Sequence, residues 1–246
     1  MAVRAATGQQ KRKKRHAGSH WRHPWLRRIA LAFLILVCAL LGSIVLFRFV
    51  NPPITTVMLE EKLIDGQTLK RRWVPLEQIS PNLRLAVIAS EDGNFCRHWG
   101  VDWAAVRDVV NQAKSLSAVR GASTIPMQVA KNLYLWEHRS YLRKVLEVPL
   151  AYVMSTVWPK PRMLEVYLNI AQWGPGVFGA EAASRRYFGK PASRLTKREA
   201  VLLAASLPNP LARNPARPSR KMLLIANAVQ KRLPWIAKRA DCVLNP

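Results

Sequence analysis

Glu91 and Asp92 set two adjacent carboxylates at the end of Leu85-Ala86-Val87-Ile88-Ala89-Ser90, a mostly apolar run, and ahead of the turn Gly93-Asn94-Phe95-Cys96-Arg97-His98-Trp99-Gly100. A carboxyl held half out of water at the end of a buried element has its pKa raised toward that of a useful general base. With only 14 Asp and Glu in 246 residues, each acidic position carries information. The competing structural reading makes Glu91 or Asp92 a helix cap and His98 an ordinary imidazole, since structural ion pairs also perturb carboxylates.

Three further stretches carry polar groups at helical spacing. In Gly121-Ala122-Ser123-Thr124-Ile125-Pro126-Met127-Gln128-Val129-Ala130-Lys131-Asn132, hydroxyls sit where a helix begins and its N–H groups and dipole favour an anion. Gln128, Lys131 and Asn132 then share one face, although a capped surface helix with a solvated Lys has the same pattern. Arg143 and Glu147 are four apart with Lys144 between them. They read either as an intrahelical ion pair worth a few tenths of a kcal/mol, roughly, or as a phosphate-binding fork beside a second carboxylate. In Met163-Leu164-Glu165-Val166-Tyr167-Leu168-Asn169 the structural reading is the better one, with Glu165 buried, hydrogen-bonded and bracing the site.

The elements that position these residues are mainly helical. Ser80-Pro81-Asn82 predicts a cap leading into a helix to Ser90, Asp102 caps a helix to Ala113, and Thr124 with Pro126 opens one through Leu135. Ser140 caps a helix over Tyr141 to Val148 that Pro149 should end or kink. Lys160-Pro161 opens Arg162 to Ile170, and Thr196 caps Lys197 to Ser206. Residues 57–74 read as a partly extended linker, with Leu69 to Val74 as a short strand.

Ahead of these lies a different text. Residues 1–28 form a basic tail, and Ile29 to Phe47 holds no charge, long enough as a helix to cross about 28 Å of hydrocarbon. Trp21 and Trp25 on one side and Arg48 on the other suit the two interfaces, and Phe47-Arg48-Phe49-Val50 lacks the small-residue pattern of a cleavage site. The Lys/Arg excess before the helix places the N-terminus in the cytoplasm and everything after it outside. The organisation is therefore a cytoplasmic tail 1–28, a membrane anchor 29–50, a linker 51–75 and a domain 76–240.

Net charge is +25, and after removal of the nine tail cations 30 bases still face 14 acids. Such a body must meet something anionic: nucleic acid, phospholipid or a phosphorylated substrate. Nucleic acid fails on topology, because the one dense basic run, Lys11 to Arg15, falls on the cytoplasmic side and belongs to no binding fold. Three cysteines make no disulfide framework, Cys96 and Cys242 being a pairing that nothing in the sequence supports. No paired Cys/His spacing predicts zinc.

The order of the four stretches, continued by Gly179-Ala180-Glu181-Ala182-Ala183-Ser184-Arg185-Arg186-Tyr187-Phe188-Gly189, resembles the peptidoglycan glycosyltransferases of family 51 across about residues 76 to 215. Ile125-Pro126-Met127-Gln128 stands where the bifunctional penicillin-binding proteins have Ile-Thr-Gln-Gln. With a chain ending at Pro246, that looks like the monofunctional branch. The resemblance implies a mainly α, lysozyme-like glycosyltransferase domain behind one N-terminal transmembrane helix, polymerising lipid II onto a growing glycan strand in the bacterial inner membrane. It implies Glu91 as general base and Glu147 as second carboxylate. Ser123, Gln128, Lys131, Asn132, Arg143 and Lys144 would bind pyrophosphate, with Asp92, Phe95, His98, Gly121, Thr124, Glu165 and Asn169 in support.

A divalent cation, Mg²⁺ or Mn²⁺, would aid departure of the pyrophosphate, and other cell-wall synthases or division proteins are the implied partners. Phe95, Trp99 and Trp103 read as core rather than lipid-facing. The alternatives are a lytic, lysozyme-like enzyme and an inactive structural partner. Glycan cleavage needs an acid at an alkoxide leaving group and no cationic cluster, so the two chemistries separate on the residues around Glu91.

Overall fold

The computed structural model describes residues 24–112, 123–138 and 140–244. Its contacts divide the chain between Ser43 and Ile44. The first unit is most of α1 (Pro24–Phe47), which begins ahead of Ile29 because a proline at the first position has no N–H to lose. Apolar on every side and long enough to cross a membrane, it leaves Phe33 and Leu36 each 66 % exposed, as suits a bilayer anchor.

The second unit opens with a correction. Within the segment expected to be an extended linker, Thr55 accepts from the Met58 N–H and starts α2 (Thr56–Leu63), which buries Val57, Met58 and Glu61. Eight residues whose apolar positions are three in a row, Val57 to Leu59, and then Leu63 are too few to show a helical period. Beyond it come β1 (Lys70–Arg71), α3 (Pro81–Glu91), α4 (Trp103–Gln112) and α5 (Ile125–Tyr134). Next are α6 (Tyr141–Val157), α7 (Lys160–Ile170), β2 (Gln172–Gly174), β3 (Val177–Phe178) and α8 (Ala180–Phe188). The chain closes with α9 (Lys197–Ser206), α10 (Arg220–Ala237) and α11 (Asp241–Leu244).

Helix α6 does not stop at Pro149 but runs through it. Pro149 is exposed, so the hydrogen bond it forfeits lies on the solvated side of the helix. The three-stranded sheet has the order β1-β3-β2, with β1 parallel to β3 and β2 antiparallel to it.

Two helical groups make the core. Helices α9 and α10 both pack on α3, while α6 and α7 both pack on α5. Trp173, Tyr167, Phe95 and Phe178 are the largest fully buried side chains, and Trp173 Nε1 donates to the Leu203 carbonyl at 3.2 Å. Cys96 and Cys242 are joined as a disulfide, tying the turn after α3 to α11 across 146 residues.

On α7, Asn169 accepts from Val74 N–H and donates to Val74 C=O, both at 2.9 Å, and Glu165 accepts from Leu76 N–H at 3.1 Å. Half-buried Glu165 also pairs with Arg162 at 2.5 Å. These two residues fasten the strand-like approach to α3, which is the bracing role expected of them.

Candidate active site

Glu91 is the last residue of α3. The helix starts at Ser80, whose hydroxyl accepts from Asn82 N–H, and stops because Asp92 turns to extended backbone while its N–H still reaches Ile88 C=O. The half-buried Glu91 carboxylate meets donors on both oxygens. Ser90 Oγ donates at 2.9 Å to one, and Gln128 Nε2 of α5 donates at 3.0 Å to the other. Ser90 shares its single hydrogen with Ala204 C=O at 3.2 Å, which leaves Gln128 the dedicated donor. Burial raises the Glu91 pKa above its ordinary value; the two hydrogen bonds and the Arg213 guanidinium oppose the rise, and neighbouring Asp92 adds to it.

Asp92 is buried and committed elsewhere. Its carboxylate faces His98 Nε2 at 2.8 Å and accepts from Ile125 N–H, the first amide of α5, at 2.9 Å. This fixes the start of α5 against the end of α3. Thr124 caps the same end and donates to Gly100 C=O at 2.5 Å. Gly100 has φ +85°, and a Cβ there would lie 2.8 Å from the Ala151 carbonyl, so only glycine lets this turn lie against α6. Phe95 is buried under Lys160, whose Nζ sits 4.5 Å from the ring and donates to His98 C=O at 2.7 Å. Desolvation lowers the Lys160 pKa to about 8.

A cleft of about 320 Å³ opens at Glu91 and is lined also by Ser123, Thr124, Asp102, Arg232 and Trp235. Ser123 Oγ accepts from Lys144 Nζ at 2.8 Å, and the same ammonium lies 2.8 Å from Glu147. Arg143 Nε stands 3.5 Å from the other oxygen of Glu147, in ion-pair range, yet is buried without a hydrogen bond of its own. Lys131, half-buried, has its pKa lowered chiefly by desolvation, with Arg143 adding repulsion while Glu137 and Glu147 oppose it. A cationic group is therefore joined through Ser123 to the cleft that opens at Glu91. Such an arrangement can take a proton at one point and stabilise departing anionic charge at another.

The structure brings together Glu91, Asp92, His98, Ser123, Thr124 and Gln128, and next to them Lys131, Arg143, Lys144 and Glu147. Gln128 faces the carboxylate rather than standing open beside the cations. Asn132 is buried toward α2, its carbonyl accepting from Thr56 Oγ1 at 3.0 Å. Gly121 lies outside the described residues. Trp99 and Trp103 are not core, as expected, but 67 % and 51 % exposed; Trp103 stands on the outer face of α4 with Nε1 on Tyr152 Oη.

Sequence reasoning passed over Tyr167, Arg213, Arg232 and Trp235. Tyr167 Oη donates to Gln128 Oε1 at 3.0 Å. One signal was present for it, a hydroxyl on an otherwise apolar helix that also carries Glu165. Arg213 donates to Ala205 C=O at 2.8 Å from a proline-rich segment whose spacing gives no clue to its place.

Glu147, expected as the second carboxylate, is engaged by Lys144 and Arg143. Among the described residues no group of three or more His, Cys, Asp or Glu could hold a metal, so protein side chains alone make no complete seat there. Mg²⁺ is usually bound by one or two carboxylates plus phosphates, so a divalent ion here would draw most of its ligands from a bound phosphate.

A family model described as Transglycosylase matches residues 58–240. The Biosynthetic peptidoglycan transglycosylase of Agrobacterium fabrum is 47 % identical over 217 residues, covering 88 % of this chain and 95 % of that protein. Those of Brucella suis and Pasteurella multocida are 47 % and 45 % identical over 224 and 219 residues. They cover 89 % and 87 % of this chain and 99 % and 89 % of their own lengths.

Proposed function

We propose, from the premise that this chain belongs to the transglycosylase family and is a peptidoglycan glycosyltransferase of cell-wall synthesis, that Glu91 is its general base and the Lys131, Arg143 and Lys144 group receives the leaving pyrophosphate. The substrates are lipid II and the growing glycan strand. Glu91 takes the proton from the 4-hydroxyl of the acceptor GlcNAc. The freed oxygen bonds to the anomeric carbon of the donor MurNAc as the bond from that carbon to the pyrophosphate oxygen breaks, with inversion. Undecaprenyl pyrophosphate departs with the electron pair, and no glycosyl-enzyme forms.

What supports this reading is the carboxylate of Glu91, poised by burial and held by two donors in a cleft that Ser123 links to Lys144 and Glu147. Arg143 presents its fork to a phosphate, and Glu147 holds both cations in place. Stabilisation of the departing charge falls to these cations together with a divalent ion, Mg²⁺ or Mn²⁺, that would be held largely by the substrate's own phosphates. The anchor α1 keeps the domain beside a substrate embedded in the same bilayer, with the N-terminus cytoplasmic and the domain outside. Association with other cell-wall synthases or division proteins belongs to the same proposal and has no residue assigned to it.

Incubating the purified full-length protein with labelled lipid II, with and without a chelator, tests the reading. The expected product is glycan polymer, formed more slowly with the chelator. Cleavage of finished glycan without polymerisation overturns the reading, and an unchanged rate under chelation removes the divalent ion from it.

A further inference from the structure

Glu91 is served by a chain of side chains that begins in the core. Tyr167, fully buried on α7, donates from Oη to Gln128 Oε1 at 3.0 Å, and Gln128 passes its Nε2 to Glu91 at 3.0 Å. A primary amide can present either end. With Oε1 toward Glu91 it would set an oxygen against a carboxylate oxygen, which is tolerable only when Glu91 is protonated. The Tyr167 hydroxyl opposes that flip: Nε2 turned toward it could donate to the phenol oxygen, but the phenolic hydrogen would lose the acceptor it has in Oε1.

We infer that Tyr167 is a positioning residue for the base: its hydroxyl locks the Gln128 amide in the one orientation that favours the ionised form of Glu91. This rests on Glu91 being the base. The lock matters because Ser90, the other donor, divides its hydrogen between Glu91 and Ala204 C=O. Among the described residues the charged and titratable groups facing Glu91 are Asp92 at the end of α3, Asp102 just ahead of α4 and Arg232 of α10 in the cleft, Arg213 from the segment after α9, and Tyr167 from α7. Asp92 raises the proton affinity of Glu91 and Arg213 lowers it. Neither depends on the amide, so removing one phenolic oxygen tests the lock separately.

The experiment titrates ¹³C-Glu-labelled full-length protein in detergent micelles by NMR, with the Glu91 signal assigned by its loss in Glu91→Gln. Tyr167→Phe should move the Glu91 inflection upward by roughly half to one pH unit, as a weakened hydrogen bond to a charged acceptor implies. The acid limb of kcat against pH should move with it, while kcat on the alkaline plateau stays within about threefold of the parent. In a Gln128→Leu background Tyr167→Phe should add no further shift. An unmoved inflection overturns the inference, and so does an equal shift in the Gln128→Leu background. A loss of kcat at every pH with the limb in place makes Tyr167 merely structural. If Tyr167→Phe does not fold, Gln128→Leu alone decides, since the lock requires it to raise the inflection. The titration needs no turnover, so its failure is distinct from that of the proposed function, which is lost if Glu91→Gln still polymerises.

Discussion

Glu91→Gln keeps the volume of the side chain and one acceptor oxygen while removing the proton acceptor. A positioned general base contributes typically about 10²–10⁴ in rate, or about 3–5 kcal/mol of barrier. The surroundings put the loss near the upper end, because the other nearby carboxylates among the described residues are already engaged. Asp92 is committed to His98 and to the first amide of α5, Asp102 to Asn94 and the Ala105 amide, and Glu147 to two cations.

The same substitution has a stability signature whose sign follows from the raised pKa. The ordinary carboxyl pKa is 4.5, and burial lifts that of Glu91 above it. The folded state then holds the proton more tightly than the unfolded one, so its contribution is complete below pH 4.5 and is lost as pH climbs through the raised value. Glutamine cannot titrate. The melting temperature of Glu91→Gln should gain on the parent as pH rises across that window, and the gap should stop changing at lower pH. Initial rates on labelled lipid II and thermal melts followed by circular dichroism read the two effects on one preparation. A variant that keeps more than roughly a tenth of the parental rate, or a gap independent of pH, refutes the placement of a buried, ionising base at this position.

Lys144→Met removes the ammonium from Ser123 and Glu147 and should lower kcat by about 10²-fold, as expected for a group acting on charge that develops in the transition state. Lys144 is itself 44 % exposed, but Glu147 is buried and loses its closest cation, so stability in the melt should fall by about 1–3 kcal/mol, and a pure rise in KM would reassign Lys144 to substrate binding. Asn169→Leu strands both backbone groups of Val74 and should cost about 2–4 kcal/mol in urea unfolding, the usual penalty for two buried unpaired groups. An unchanged midpoint contradicts that. Reducing Cys96–Cys242, or replacing Cys242 by Ser, reopens a loop of 146 residues and should cost about 2–5 kcal/mol. A reduced protein with the parental melting curve would show that the bridge does not constrain the unfolded chain.

What could be read in the chain were the features with local causes. Ser80, Thr124, Ser140 and Thr196 announce helices because a cap is a contact between neighbours in sequence. The anchor announces itself by length and composition. Helix α2 did not, being too short for a period, and Pro149 misled because its effect depends on which face of α6 is wet. The site divides along the same line. Glu91 stood out from its position after an apolar run, and Arg143 with Glu147 from their spacing, whereas Lys144 came only with the resemblance. The partner of Gln128 was not legible, because α5 spacing shows which residues share a face but not what stands opposite. Tyr167 and Arg213 reach the base only through packing of segments 39 or more residues away from Gln128, which no local pattern encodes.

In the proposed mechanism, helix α5 sets the distance between base and leaving group. Its first amide is held by Asp92 and its cap by Gly100, so it cannot slide along its axis without breaking contacts at the turn that carries Glu91. Gln128 and Lys131 lie on one side of it, separated by a rise of about 4.5 Å. The first steadies the proton acceptor, and the second stands among Arg143 and Glu147. Inverting transfer needs the nucleophile and the departing oxygen on opposite sides of one carbon, so base and cations must keep a fixed separation. Here that separation is carried by less than one turn of a helix pinned at its start. A lytic enzyme has no use for a rigid spacing between a base and a set of phosphate-binding cations, which the mechanism proposed above requires.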